Sequence, residues 1–248
     1  MTELAAVALL CRTSDRSPEG SLGAVGLSAL TGARQIGAPA TPRVGRWDLD
    51  LRDSRGCLLE AGGQVDDALA CGRRPLLFAG DCSVALSTLP VVVRHRPDAW
   101  VCWIDAHADF NTPDSTPSGY LGGMPLAGAC GLWETGFGAG LDPARVAMLG
   151  VRDVDGAERV LLDTQGVGRP EGPEALEGLP VFVHLDLDVL DPAVLPAPFP
   201  APGGWSFNRL RDVLVTLVDR VELIGAEVTS AHPAHVDAIF AAIGPLHY

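Results

Sequence analysis

Short apolar runs alternate with amphipathic stretches along most of the chain. Six runs predict strands, at residues 4–11, 75–79, 100–105, 145–151, 181–188 and 222–228. These runs are apolar at nearly every position, which is typical of parallel strands buried on both faces. Helical periodicity predicts three helices, at residues 59–71, 83–95 and 207–220. Together they predict an α/β fold with three α/β/α layers and a mainly parallel central sheet.

The organisation of the chain predicts a single domain over residues 1–248. Neither an internal repeat nor a long linker divides it, and residues 34–55 and 166–178 are predicted to be surface loops. In sheets of this kind, ligands bind just beyond the carboxyl ends of the strands. We therefore expect the functional side chains at those strand ends.

The charge of the chain limits the partners that it can have. The 248 residues carry a net charge of −13, and all 18 basic residues are arginine. The lack of lysine excludes Schiff-base chemistry on a lysine, and the acidic excess argues against a nucleic-acid surface. Some of the acids fall in apolar, strand-like segments, where an unpaired carboxylate is costly to bury. A cation is expected beside them.

The N-terminal apolar run is predicted to be a buried strand. It is too short to span a membrane, which takes about 20 residues, and no basic segment precedes it as in a signal peptide. The six cysteines lack the spacing of a disulfide framework or a CxxC pair. They predict a reducing, cytoplasmic compartment in which most of the thiols are packed as small core residues. No membrane partner is expected.

Two acidic motifs, DAHAD at 105–109 and DLDVLDP at 186–192, end predicted strands. Alternate residues of a strand point the same way, so Asp186 and Asp188 lie side by side and repel each other unless a cation neutralises both. The same alternation aligns Asp105, His107 and Asp109. Such oxygen-rich sets favour Mn²⁺ or Mg²⁺. One DxD is as often a turn or a cap, but two motifs at two strand ends favour a metal site.

With GDCS at 80–83, these motifs resemble the metal signatures of the arginase/agmatinase (ureohydrolase) superfamily, over residues 76–233. The resemblance implies an arginase-like fold and two Mn²⁺ ions bridged by hydroxide. It implies three ligands that are shared between the ions or bridge them, Asp105, Asp109 and Asp188. It implies two ligands of the second ion, His107 and Asp186. Asp109 is also expected to hold the hydroxide during catalysis.

Cys82 departs from the family, which has a histidine on the first ion at this position. Two interpretations stay open: Cys82 is a packing residue and the first site is weakened or lost, or Cys82 is a soft ligand. Thiolate is a poor match for Mn²⁺. In both cases, manganese is expected to bind weakly at the first metal site.

The resemblance also covers the expected substrate site. Residues 111–119 resemble the loop that binds an α-carboxylate, with Asn111, Thr116 and Ser118 at its matching positions. Residues 150–158 resemble the segment that receives an α-ammonium, with Asp155 and Glu158. The resemblance further implies that Glu227 grips the guanidinium and that Ser206 matches a threonine beside it. A free amino acid is therefore the expected small-molecule partner.

Gly122 is a second departure, because the family motif SGN-hydrophobic-HG has a histidine that shuttles protons at this position. Protonating a leaving amine normally needs a general acid. Together, Cys82 and Gly122 resemble the branch that hydrolyses Nω-hydroxy-L-arginine in D-cycloserine biosynthesis. A hydroxyguanidine is less basic and relaxes the need for the acid, and Gly122 is expected to leave space for its hydroxyl.

The sequence thus predicts a metal-dependent amidinohydrolase that converts Nω-hydroxy-L-arginine to L-ornithine and hydroxyurea, with attack by a metal-activated hydroxide. An ordinary arginase and a non-catalytic amino-acid-binding protein stay open as alternatives. A binuclear phosphoesterase lacks support, because neither a glycine-rich phosphate loop nor a basic clamp is found. The resemblance implies a homo-oligomer, a trimer or a hexamer.

Overall fold

A computed structural model of the chain describes residues 2–247. Its strands are β1 (Leu4–Leu9), β2 (Arg34–Ile36), β3 (Arg74–Phe78), β4 (Trp100–Ile104), β5 (Val146–Leu149), β6 (Pro180–Asp186) and β7 (Glu222–Thr229). Its α-helices are α1 (Glu19–Thr31), α2 (Trp47–Ala70), α3 (Ala85–His95), α4 (Pro125–Ala129), α5 (Gly156–Gln165), α6 (Phe207–Val218) and α7 (Val236–Ile243).

The seven strands form one parallel sheet in the order β2-β1-β3-β7-β6-β4-β5. Successive residues of β4 face opposite layers. Cys102 packs in the core under α1, α6 and α7, whereas Trp103 packs in the core with side chains of α3 and α4. The three-layer α/β/α prediction is confirmed. Its consequence for function is that β3, β7, β6 and β4 end side by side at one edge.

The prediction of a surface loop over residues 34–55 is wrong. Residues of β2 pair with β1, and α2 already begins at Trp47. The first turns of α2 are polar, so their burial was not predicted from the sequence. Asp50 is nevertheless fully buried, and its carboxylate lies 2.8 Å from the guanidinium of Arg12. The second predicted loop, 166–178, contains a 3-10 turn at Pro173–Leu176.

Helix α1 was not predicted, because its glycines lower helix propensity. The glycines serve close packing instead. A Cβ on Gly20 would lie 2.2 Å from the carbonyl oxygen of Gly80, and one on Gly23 would lie 2.1 Å from that of Ala231. Tertiary contact with the strand ends thus overrides local propensity, and it places the segment before α1 next to the functional edge.

Cys11 and Cys57 form a disulfide that joins the end of β1 to α2. The prediction that the cysteines are reduced is wrong for this pair, which sequence spacing could not reveal, because 46 positions separate the two residues. The cytoplasmic location stays a prediction, and the disulfide counts against it, because such bonds are rare in reducing compartments.

Among residues 2–247, none of the helices combines the length and the apolar character that crossing a bilayer requires.

Replacing Cys11 and Cys57 together by serine should lower the free energy of unfolding by about 2–4 kcal/mol, since the unfolded chain loses a cross-link. Thermal melting of both proteins measures the effect, with the exposed free Cys71→Ser as the control that should melt as wild type. Thiol titration of denatured wild type should find four thiols before reduction and six after it. Six thiols without reductant would show that Cys11 and Cys57 do not form a disulfide.

Candidate active site

A cavity of about 410 Å³ opens at the carboxyl edge of the sheet. Ten of the predicted site residues line it: Cys82, Asp105, His107, Asp109, Asn111, Ser118, Asp155, Glu158, Asp186 and Asp188. The parallel sheet explains this convergence, because adjacent strands β4 and β6 carry the two acidic motifs to the same edge. Side chains that are 77 or more positions apart thereby meet.

One group of candidate ligands gathers around Cys82, in the turn after β3. Its Sγ lies 2.8 Å from Oδ2 of Asp186 and 3.8 Å from Oδ2 of Asp105. The turn is held by Asp81, whose carboxylate accepts hydrogen bonds from the backbone of Ser83 (2.8 Å) and Ser14 (2.8 Å). Asp81 therefore fixes the direction in which Cys82 points.

A second group contains Asp105, His107 and Asp188. Nδ1 of His107 lies 3.0 Å from Oδ2 of Asp188 and 3.5 Å from Oδ1 of Asp105. Asp105 thus directs one oxygen toward each group, the position of a shared ligand. The resemblance implied His107 and Asp186 as ligands of the second ion and Asp105, Asp109 and Asp188 as shared ligands. In this structure Asp188 lies beside His107, and Asp186 lies beside Cys82.

Asp109 lies between the two groups of candidate ligands and the loop of residues 111–119. Its backbone has a conformation that few residues adopt. Its φ is +47°, in the left-handed region, and its side chain is buried. Non-glycine residues in this region cost energy and cluster at functional sites. The carboxylate is held in the cavity by the fold, because the backbone carbonyl of Asp109 accepts a hydrogen bond from Leu126 at the start of α4 (3.1 Å).

The electrostatics of the acids fit divalent cations. Burial, and then repulsion by Asp188, raise the pKa values of Asp105 and Asp186. Burial also raises the pKa of Asp109. Against the effect of burial, hydrogen bonding to His107 holds the pKa of Asp188 below its usual value. Crowded carboxylates with one imidazole are a donor set for doubly charged ions, which would remove this repulsion.

The predicted amino-acid end of the site is assembled by the start of α5. Nδ2 of Asn111 donates to Oδ2 of Asp155 (3.2 Å). Glu158 accepts from the backbone nitrogens of Phe110 (2.8 Å) and Asp155 (3.2 Å), and burial raises its pKa to about 7. These acids face a cavity that also contains Ser118, so an ammonium and a carboxylate can be received side by side.

Three predicted residues lie outside the cavity lining. Thr116 shapes its loop by accepting a hydrogen bond from the backbone of Gly119 (3.1 Å), and Ser206 caps α6. Glu227 is fully buried and accepts hydrogen bonds from Thr88 (2.6 Å) and His184 (2.7 Å to Nδ1). A grip of Glu227 on a guanidinium therefore has no direct support in this arrangement.

Tyr120 is a cavity residue that sequence reasoning missed. A Cβ on Gly122 would lie 2.5–2.7 Å from the ring carbons and the phenol oxygen of Tyr120. The tyrosine therefore fills the space that a side chain at 122 would need. Its ring is covered by the guanidinium of Arg16 at 4.5 Å and lies 4.9 Å from the ring of Phe199. The usable signal was that Tyr120 replaces the asparagine of SGN.

Comparisons with known proteins give one consistent result. A model of the arginase family matches residues 43–242. The chain is 40% identical over 201 residues to the Nω-hydroxy-L-arginine amidinohydrolase of Streptomyces lavendulae, covering 78% of this chain and 73% of that protein. It is 31% identical to the arginase of Saccharomyces cerevisiae, covering 68% of this chain and 60% of that protein. The arginase structure from Bacillus caldovelox matches 100% of this chain and 98% of its own with a TM-score of 0.85 at 23% identity, which supports the fold.

Replacing Asp109 by Asn should have opposite effects with and without metal. Asparagine tolerates the left-handed backbone and does not ionise, whereas burial penalises the charged form of Asp109. The metal-free variant should therefore melt higher than the metal-free wild type at neutral pH. With metal, affinity should fall by more than about 100-fold, because even outer partners of ligands cost 10–100-fold. Melting curves and elemental analysis test both effects, with the exposed Asp212→Asn as control. A variant with unchanged metal content would exclude Asp109 from the metal site.

Proposed function

The chain belongs to the arginase family, and we propose that it is a metal-dependent amidinohydrolase that converts Nω-hydroxy-L-arginine to L-ornithine and hydroxyurea. The observation that carries the choice of substrate is the packing of Tyr120 over Gly122. The 40% identity to an Nω-hydroxy-L-arginine amidinohydrolase supports it. A role in biosynthesis of the D-cycloserine type is part of the proposal.

The filled space above Gly122 changes the expected role of that residue. The sequence suggested that glycine leaves room for the substrate hydroxyl, but the ring of Tyr120 takes this room. A neutral phenol then stands where the family has an imidazole, and it can donate a hydrogen bond to, or accept one from, a hydroxyl group. Burial, followed by the charge of Asp81, raises the pKa of Tyr120, so the phenol stays neutral. It suits a neutral N-hydroxyl better than a protonated amine.

The residues around the cavity divide the work of the reaction. Asn111, Ser118, Asp155 and Glu158 bind the α-amino-acid end and aim the other end at the acids below. Asp105, His107, Asp186 and Asp188 would hold the divalent ions, whose chemistry would be to lower the pKa of water and so provide a hydroxide for the guanidino carbon. Asp109 would hold that hydroxide by a hydrogen bond and orient it toward the guanidino carbon. Because a hydroxyguanidine is less basic than a guanidine, more of it is neutral and hydroxide attacks it more readily.

The ions in the proposal are divalent, and Mn²⁺ suits the group of Asp105, His107 and Asp188, which offers oxygens and one imidazole. An arginase that acts on L-arginine is the competing function within the same family. The phenol in place of the imidazole is the observation against it.

A side-by-side assay with added divalent metal tests the choice of substrate. Wild type should process Nω-hydroxy-L-arginine with a kcat/KM at least about 10²-fold above that for L-arginine, the lower bound for one positioned acid. The α-amino-acid contacts are common to both substrates and cannot produce the difference. A preference for L-arginine would overturn the substrate and leave the hydrolase. Binding of either amino acid without hydrolysis by the metal-loaded protein would favour the non-catalytic alternative.

Restoring the family's histidine tests the packing argument. Gly122→His alone should lose activity on both substrates, because its Cβ would collide with the ring of Tyr120. Gly122→His combined with Tyr120→Asn should remove the collision and raise activity on L-arginine by roughly 10²–10⁴-fold over the single variant. Tyr120→Asn alone is the control for the loss of the ring. Equal gains in the single and double variants would show that Tyr120 does not govern position 122.

A further inference from the structure

A buried relay of three side chains runs behind the cavity wall. His184 lies in β6, is fully buried and stacks on Trp103, with ring centroids 3.6 Å apart and planes 4° apart. Its Nδ1 is 2.7 Å from Oε1 of Glu227, and its Nε2 is 3.3 Å from Sγ of Cys82. The relay Glu227–His184–Cys82 therefore connects the sheet interior with the first group of candidate ligands.

The partners of His184 determine which of its nitrogens has a free lone pair. We assign the hydrogen of His184 to Nδ1, because Nδ1 faces a carboxylate oxygen of Glu227 at 2.7 Å, whereas Nε2 faces the sulfur of Cys82 at 3.3 Å. Nε2 then directs its lone pair at Cys82. Histidines that bind metals usually donate their other N–H to a carboxylate, which fixes the ring and makes it a better ligand. His184 has this arrangement.

The spacing of the donors matches ligands of one ion. Ligand atoms of Cys82, Asp105 and His184 all lie within 4.8 Å of one another. Sulfur and nitrogen bound to one ion at about 2.3 and 2.05 Å lie roughly 3.1–3.6 Å apart for angles between a right angle and a tetrahedral one. The observed 3.3 Å between Sγ and Nε2 falls in this range.

We propose that Cys82, His184 and Asp105 form the first metal site, and that this site selects Zn²⁺ or Co²⁺ over Mn²⁺. The proposal rests on the proposed function, because it concerns the same centre. Thiolate and imidazole favour borderline-soft ions, whereas the group of His107 and Asp188 offers mainly oxygen. The centre then holds two different metals. The metal–sulfur bond forms as the S–H bond of Cys82 breaks, and the proton is released to solvent.

The same relay also resembles a thiol nucleophile with its base and orienting acid. The surroundings disfavour that use. Sγ of Cys82 lies 2.8 Å from one carboxylate, Asp186, and faces a second at 3.8 Å, Asp105, so a free thiolate would meet negative charge on two sides. A cation in the same place turns this repulsion into attraction. Metal binding is thus the use that the charges favour.

Titration of the full-length, metal-free protein with Co²⁺ tests the site without an activity assay. Wild type should show a thiolate-to-cobalt charge-transfer band, and Cys82→Ser should lack it. The cobalt affinity measured from this band should fall by at least about 100-fold in His184→Gln. In Glu227→Gln it should fall by about 10–100-fold, as for a residue that holds a ligand in place. His107→Gln is the matched control, a histidine of the second group, and should keep the band and its affinity. Zn²⁺ should displace this cobalt at lower concentration than Mn²⁺.

X-ray absorption at the cobalt edge of wild type covers the case in which His184→Gln does not fold. One sulfur and at least one imidazole nitrogen in the scattering shell are expected at one cobalt per chain. A shell of oxygens, or an unchanged band in His184→Gln, would overturn the site. So would a substrate adduct on Cys82 of metal-free protein, detected by mass spectrometry, since it would identify a nucleophile.

The two proposals fail separately. A protein that binds cobalt through Cys82 and His184 but hydrolyses no guanidine keeps the metal site and loses the proposed function. A protein that hydrolyses Nω-hydroxy-L-arginine but binds cobalt equally well in wild type and His184→Gln keeps the function and loses the metal site. Metal affinity and turnover are therefore measured on the same preparations.

Discussion

Repulsion among buried carboxylates is the constraint on which the rest of the site depends. Asp105, Asp109, Asp186 and Asp188 share one edge of the sheet because β4 and β6 are adjacent and parallel. Without a cation, their burial costs free energy that the rest of the fold must supply. The strand ends and the hydrogen-bonded turns that follow them hold the carboxylates in place, so they cannot separate to relieve the repulsion. The same rigidity prepares them for ions, since little reorganisation is needed on binding.

The predictable part of the fold came from local pattern. Continuous apolar runs ending in acids reveal parallel strands and the edge at which ligands bind, so six strands and both acidic motifs were predicted from sequence. Helix α1 and strand β2 escaped because their stability comes from tertiary contact, in α1 through glycines that admit close approach. Pairing of Cys11 with Cys57 is likewise set by the fold, not by the residues around either cysteine.

His184 shows why part of the site escaped prediction. In sequence it is one polar residue inside an apolar strand, and its role depends on what lies beside it on the neighbouring strands. The register pairs it with Trp103 on one side and with Glu227 on the other, three residues in one row across the sheet. A sequence indicates which face of a strand a residue occupies but not its cross-strand neighbour. The resemblance implied that Glu227 binds the substrate, whereas the strand register places it beside His184.

The two departures from the family each have a compensating neighbour, which favours a changed enzyme over a damaged one. Cys82 has His184 behind it, and Gly122 has Tyr120 above it. Random loss would leave a gap at one position and an unpartnered thiol at the other. Both pairs also act on one chemical requirement. A zinc or cobalt ion at the proposed first site would lower the pKa of water, and the proposed hydroxyguanidine substrate would be attacked more readily than a guanidine. Both would ease attack on the guanidino carbon, which is how the two departures would fit one enzyme.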